Sequence, residues 1–197
     1  MSFIENTHGE RTNDITALFT ATFSDSEGEE EGALVGALAR QMLTITPADD
    51  LATFVAQTWD QPPDQPRRQA PDHAQGNRLT AAVMFSRMHY AGDDRIVWLL
   101  APMAVATNDQ HKGIGQALIR HGIEALRVRG VDIVITYGDP DFYRKVGFLP
   151  ISQSDVPAPY PLSQPKGWLG QSLTGQAIGS LTGPARCVKA LDNSRYW

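Results

Sequence analysis

Leu99-Leu100-Ala101-Pro102-Met103-Ala104-Val105, continued by Ala106-Thr107-Asn108-Asp109 and Gln110-His111-Lys112-Gly113-Ile114-Gly115-Gln116-Ala117, is the stretch on which the architecture turns. An apolar, β-prone run leads through a polar turn into a segment with two glycines one residue apart. Beyond it Ile114, Leu118, Ala125 and Leu126 share one helical face, and Gly130 is placed to close the helix. The reading is strand, glycine-containing turn, helix over Gly113 to Arg129. Glycines at such a turn let backbone approach a bound group, and the free N–H groups and dipole of the helix end favour an anion. From Ala106 to Gly130, Lys112, Arg120, Arg127 and Arg129 outnumber Asp109 and Glu124, in a chain that is acidic as a whole. A phosphate or pyrophosphate is the ligand these residues suit.

Working outward, Val131 to Tyr137 reads as a buried strand, and Asp139 is a natural cap for a short helix with Pro140 at its first position. Upstream, Leu79 to Tyr90 and Arg95 to Val105 are β-rich runs separated by Ala91-Gly92-Asp93-Asp94, which signals a hairpin. Leu51 to Trp59 predicts another strand, and Asp60 to Asn77 carries four prolines and predicts a loop insertion. Thr12-Asn13-Asp14 supplies capping residues for a helix carrying Ile15, Leu18, Phe19 and Phe23. Asp25, Glu27, Glu29, Glu30 and Glu31 precede Leu34, Val35, Leu38 and Met42, with Arg40 near the end, a charge order that suits a second helix. The acid run is read as a solvated helix start, ahead of an amine-attracting rim. After Phe148 the chain is rich in proline and glycine, with apolar pieces at Trp168 to Leu173 and Cys187 to Leu191; the last is expected to be a strand or a pairing edge. The sum is a mixed α/β fold around one sheet, with a helical crossover joining parallel strands.

The 197 residues suit a single domain, with N-terminal helices over 1–50, the insertion at 60–77, a core at 95–150 and C-terminal strands and tail over 151–197. The net charge of −5 gives no basic footprint for nucleic acid. No apolar run approaches the ~20 residues that span a bilayer, and the N-terminus lacks a secretory pattern, so a cytoplasmic location with no membrane association is expected. One cysteine, Cys187, makes no internal disulfide, and the scattered histidines give no metal-ligand spacing. No metal is expected.

The spacing discriminates between phosphate ligands. A dinucleotide fingerprint needs a third glycine where Leu118 stands, and a nucleoside-triphosphate loop needs Gly-Lys followed by Ser or Thr, which does not occur. Gln-x-x-Gly-x-Gly at Gln110, Gly113 and Gly115, after a strand ending Met-Ala-Val, resembles motif A of the GCN5-related N-acetyltransferase (GNAT) superfamily. Downstream, Gly138-Asp139-Pro140-Asp141-Phe142-Tyr143 followed by Gly147-Phe148 is similar to that superfamily's tyrosine-bearing helix and Gly-Phe strand, in particular to a bacterial branch with Gly-Asp-Pro before the tyrosine. The match is tight from about Leu99 to Pro150.

The resemblance implies a GNAT fold in which two parallel strands splay and the pantetheine arm of acetyl-CoA lies in the opening. By position, Met103, Ala104 and Val105 would pair with that arm, and Gln110, His111, Lys112, Gly113, Ile114, Gly115 and Gln116 would hold the pyrophosphate. Pro102 fits independently, having no N–H to give a neighbouring strand. Tyr143 is the implied acid for the departing thiolate; a phenol of pKa about 10 stays protonated beside a thiol of about 8.5. Gln110 departs from the arginine common at its position, and the helix that usually starts with an asparagine is shortened to Asp139-Pro140. Asp139 is read as a cap, His121 as a partly buried structural residue, Phe142 as core, and His89 as a guess for a proton acceptor. The implied activity is acetyl transfer from acetyl-CoA to a primary amine, of a small molecule or a peptide, by direct attack. The acceptor side is expected at the first two helices, the Asp60 to Asn77 insertion and the Tyr160 to Trp168 region. A homodimer is compatible with the pattern, and the second reading is a non-catalytic acyl-CoA-binding module.

Overall fold

A computed structural model describes residues 1–6, 9–59 and 77–197; the expected insertion at 60–77 falls, except for Asn77, outside the described residues. The elements are β1 (Ser2–Asn6), α1 (Thr12–Glu27), α2 (Glu29–Ile45), β2 (Leu51–Trp59), β3 (Asn77–Tyr90), β4 (Val97–Val105), α3 (Ile114–Val128), β5 (Ile133–Tyr137), α4 (Pro140–Tyr143), β6 (Leu149–Pro150), β7 (Trp168–Ser172) and β8 (Ala185–Arg186). The strands form one mixed sheet in the order β1-β2-β3-β4-β5-β7-β6, with β8 on the far end of β3. The β3–β4 hairpin is antiparallel, and β4 and β5, joined through α3, are parallel, as the hairpin and crossover signals predict.

Both faces of the sheet are covered, so its central strands are apolar on both sides rather than alternating with polar residues. Phe54, Val83, Phe85, Leu100 and Val134 face Leu118, Ile119 and Leu126 of α3. Val55, Met84, Leu99 and Ile135 face the other way, toward Ile15, Phe19, Leu38 and Met42 of α1 and α2.

Several expectations need correction. β1 was not anticipated. The residue preceding α1 is Arg11 in the left-handed region (φ 49°), with no side-chain cap, so Thr12-Asn13-Asp14 does not cap the helix. The guanidinium of Arg11 instead donates to Gln57 Oε1 (2.7 Å) and to the Asn77 carbonyl (3.2 Å), and these tertiary bonds decide where the helix starts. The acid run is divided: Asp25 and Glu27 end α1, Gly28 breaks the chain, and only Glu29, Glu30 and Glu31 occupy the favourable first turn of α2. Arg40 lies short of the last turn of α2 and reaches across to Asn13 Oδ1 at 2.9 Å. Cys187 to Leu191 is not a strand: Lys189–Leu191 is a 3-10 turn that buries Ala190 and Leu191, and the nearby pairing with β3 comes from Ala185 and Arg186.

Candidate functional site

The parallel pairing of β4 with β5 runs from Val97–Ile133 to Leu100–Thr136 and stops there. Thr136, fully buried, closes it by donating from Oγ1 to the Leu100 carbonyl at 3.0 Å. Immediately beyond, Ala101 and Pro102 together oppose Met84 of β3, since Val83 pairs with Met103 and Phe85 with Leu100. Such a two-against-one bulge bends the strand, and proline is tolerated where a ladder is interrupted. Among the described residues β4 then continues to Val105 with β3 on one side and no strand on the other, while β5 ends at Tyr137, still paired with Trp168 of β7. The two parallel strands therefore diverge at Pro102.

At the end of the open edge, a 3-10 turn over Thr107–Asp109 leads to Gly113, which precedes α3 with φ 76°. That value lies in the left-handed region glycine adopts without strain, and a Cβ there would meet nothing within 4 Å. Among the described residues no side chain caps α3, and the N–H groups of Ile114, Gly115 and Gln116 lack acceptors within the helix. Asp109, 6% exposed, accepts from Arg78 (2.6 Å) and Lys112 (2.9 Å), and these cations hold its carboxyl below the usual carboxylate range. Lys112 also donates to the Asn108 carbonyl. Gln110 Nε2 donates to the Val105 carbonyl at 3.2 Å, tying the turn to the strand.

A cavity of about 730 Å³ runs along this edge and turn. Met103, Ala104, Val105, Gln110, His111, Gly113, Ile114, Gly115 and Gln116 all line it; Lys112 does not, being committed to Asp109. A second cavity, of about 870 Å³, opens on the other side of the splay. Its lining includes Leu100 to Met103, Tyr137 to Pro140, Val35 and Leu38 of α2, and residues between Ser163 and Gly167 and between Ser194 and Trp197. Phe23, Glu27, Met103, Asp139 and Tyr143 line both cavities and so mark their junction.

Tyr143 is fixed there by local structure that the sequence announces. Asp139 Oδ1 accepts from the Asp141 N–H at 2.9 Å and Pro140 starts the helix, as expected. The ring stacks edge-on against Phe142 (5.1 Å between centroids) and Phe148 (5.7 Å), and it lies against Gly138, where a Cβ would come within 2.7 Å of Cε2. A side chain at position 138 would displace the ring. Burial pushes the Tyr143 phenol above its ordinary value, and the charge of Asp139 adds to this. Phe142 is only half-buried, packed beside the α3-face core.

Other sequence candidates lie elsewhere. His89 is exposed on β3, opposite Arg186 of β8, and lines neither cavity. His121 is exposed on α3, its ring against Phe3 and Phe54, where it packs rather than reacts. Cys187 also lies outside both cavities, and burial pushes its thiol up to about 11, which leaves little nucleophilic thiolate at neutral pH. Among the described residues no group of three or more His, Cys, Asp or Glu side chains is placed to hold a metal ion, and no helix is long and apolar enough to cross a membrane. Glu27 and Glu31 belong to the acid run whose second reading is an amine-attracting rim, and both line the larger cavity; the Arg195–Trp197 end of that cavity carries no signal in the sequence.

No protein-family model matches the chain. Its curated relatives include an Escherichia coli (strain K12) uncharacterized N-acetyltransferase, YjhQ, 39% identical over 111 residues that cover 54% of this chain and 61% of the relative. The E. coli uncharacterized N-acetyltransferase YhbS is 28% identical over 102 residues, 51% of this chain and 60% of the relative. The matched region thus spans about three fifths of these relatives' length. Among solved structures, the GNAT family N-acetyltransferase YhbS from Escherichia coli in complex with CoA superposes with a TM-score of 0.68 at 20% identity, covering 98% of this chain and 92% of that one. A GNAT family acetyltransferase from Brucella melitensis in complex with acetyl-CoA gives 0.61 at 20% identity, covering 97% and 99%. The chain has the GNAT fold, as its motifs lead one to expect.

Proposed function

We propose that this GNAT-fold chain, as one domain over residues 1–197, is an acetyl-CoA-dependent N-acetyltransferase that moves the acetyl group to a primary amine by direct attack in a ternary complex. The observation that carries the proposal is the junction at Tyr143, where a cavity along an unpaired strand edge and an uncapped helix start meets a second cavity of small-molecule size. The named relatives and the CoA-bound structural neighbours support it.

The residues present fit the cosubstrate. The free edge of β4 at Met103 to Val105 offers strand-type hydrogen bonds to the amides of a pantetheine arm, and the open space before Gly113 and the uncapped start of α3 suit a pyrophosphate. His111 and Lys145 line the same cavity, and Arg78 and Lys112 pair with Asp109 beside it. Bound acetyl-CoA supplies an acyl group activated as a thioester. The two cavities bring the amine to that carbonyl, and the β4 backbone polarises it. The N–C bond forms as the C–S bond breaks; the amine gives up a proton to solvent, and Tyr143 donates one to the leaving sulfur and is reprotonated from solvent. The products are an N-acetyl amine and the free thiol.

A screen of amines, amino acids, polyamines and peptides for acetyl-CoA-dependent thiol release tests this reading. Release above the acceptor-free rate with at least one primary amine is expected. Tight acetyl-CoA binding with no release from any acceptor would favour the non-catalytic acyl-CoA-binding module instead.

A further inference from the structure

The larger cavity holds charges of both signs, contributed by different parts of the chain. Glu27 ends α1 and Glu31 lies in the first turn of α2, whereas Lys166 and Arg195 come from the C-terminal segment. Among the described residues, none of these four side chains has a protein ion-pair or hydrogen-bond partner. Other charges are paired within the chain: Asp109 with Arg78 and Lys112, Asp93 with Arg95, Glu5 with Arg129.

Glu27 and Asp139 line both cavities and so stand at the junction beside Tyr143, while Glu31, Lys166 and Arg195 line the larger cavity alone. The lining also includes apolar Val35, Leu38 and Leu191. A purely cationic acceptor such as a polyamine would be attracted by the carboxylates but repelled by the two cations. A purely anionic one would be repelled at the junction. A molecule with an ammonium at one end and an anion at the other satisfies both signs of charge.

We propose that the acceptor is a small amino carboxylate with an apolar body, its amine drawn to Tyr143 by Glu27 and Glu31 and its carboxylate held by Lys166 and Arg195. This rests on the acetyltransferase reading and narrows its substrate class. It is tested with matched acceptors that differ in the anion alone, 6-aminohexanoate against hexylamine and leucine against leucinamide, with spermidine as the polycation. Acetyl-CoA binding is followed separately by calorimetry. At least one carboxylate-bearing member is expected to exceed its partner about tenfold in kcat/KM, mainly through KM. In the Lys166→Gln/Arg195→Gln variant that ratio falls toward one, while Glu31→Gln raises KM for both members of the pair and leaves the ratio in place. A preference for spermidine or the uncharged-tail amines, a ratio unmoved by the double substitution, or acetyl-CoA binding with no turnover of any of these acceptors would overturn the proposal. Absence of acetyl-CoA binding would instead overturn the reading on which it rests.

Discussion

Tyr143→Phe is expected to lower kcat by about 10²- to 10³-fold while leaving acetyl-CoA affinity within about twofold, the range associated with removing a general acid. The substitution keeps the ring that packs against Phe142, Phe148 and Gly138 and deletes only the hydroxyl at the junction of the two cavities. The pH dependence has a definite sign. Because burial raises the phenol's pKa above its ordinary value of 10.0, the proton-donating form persists through neutral and mildly alkaline pH. A pH–kcat profile should therefore show no alkaline limb from Tyr143 below about pH 10. Steady-state kinetics with a turned-over amine, together with calorimetric titration of acetyl-CoA, checks both statements. Unchanged kcat in the variant would remove Tyr143 from the chemistry.

The second large effect is expected from Gly113→Asp, which should abolish measurable acetyl-CoA binding. The position is left-handed, so any side chain is strained, and the space before it is open, so an aspartate's charge projects into the proposed pyrophosphate site at the helix start. Gly113→Asn separates these effects. Asparagine tolerates the left-handed region and nearly matches aspartate in size, so it should weaken binding far less than the charged variant. Gly115→Asp is a harsher change, because a side chain there meets Met103 and Val105 and threatens the packing of α3 on β4. Titration calorimetry on the folded variants reads the result; acetyl-CoA binding retained by Gly113→Asp would mean that the phosphates lie elsewhere.

What could be read from the chain follows how local each determinant is. Pro102 interrupts a ladder because it lacks an N–H, Gly113 turns the chain because it lacks a Cβ, and Asp139-Pro140 starts a helix through a cap one turn long. These act within a few residues, so the splay, the turn and the placement of Tyr143 were legible. β1 was not, because Ser2–Asn6 is an edge strand with one buried residue and no alternating pattern to betray it. The Thr12 to Asp14 caps were overridden by Arg11, whose partners Gln57 and Asn77 lie far along the chain. Lys112 looked like a free cation until the fold brought Asp109 and Arg78 beside it. The acid run shows the same limit. Glu29 and Glu30 are exposed on the first turn of α2, as a solvated helix start should be, but the break at Gly28 and the packing of α1 and α2 over the sheet carry Glu27 and Glu31 to a cavity wall. No spacing within the run distinguishes these two fates.

The central claim is that the open edge of β4 and the start of α3 together hold acetyl-CoA. Amide hydrogen exchange with and without saturating acetyl-CoA measures this at the backbone groups concerned. Slowed exchange concentrated in residues 103–105 and 111–116 is the predicted result. Protection confined to other segments, or none at saturation, would contradict it.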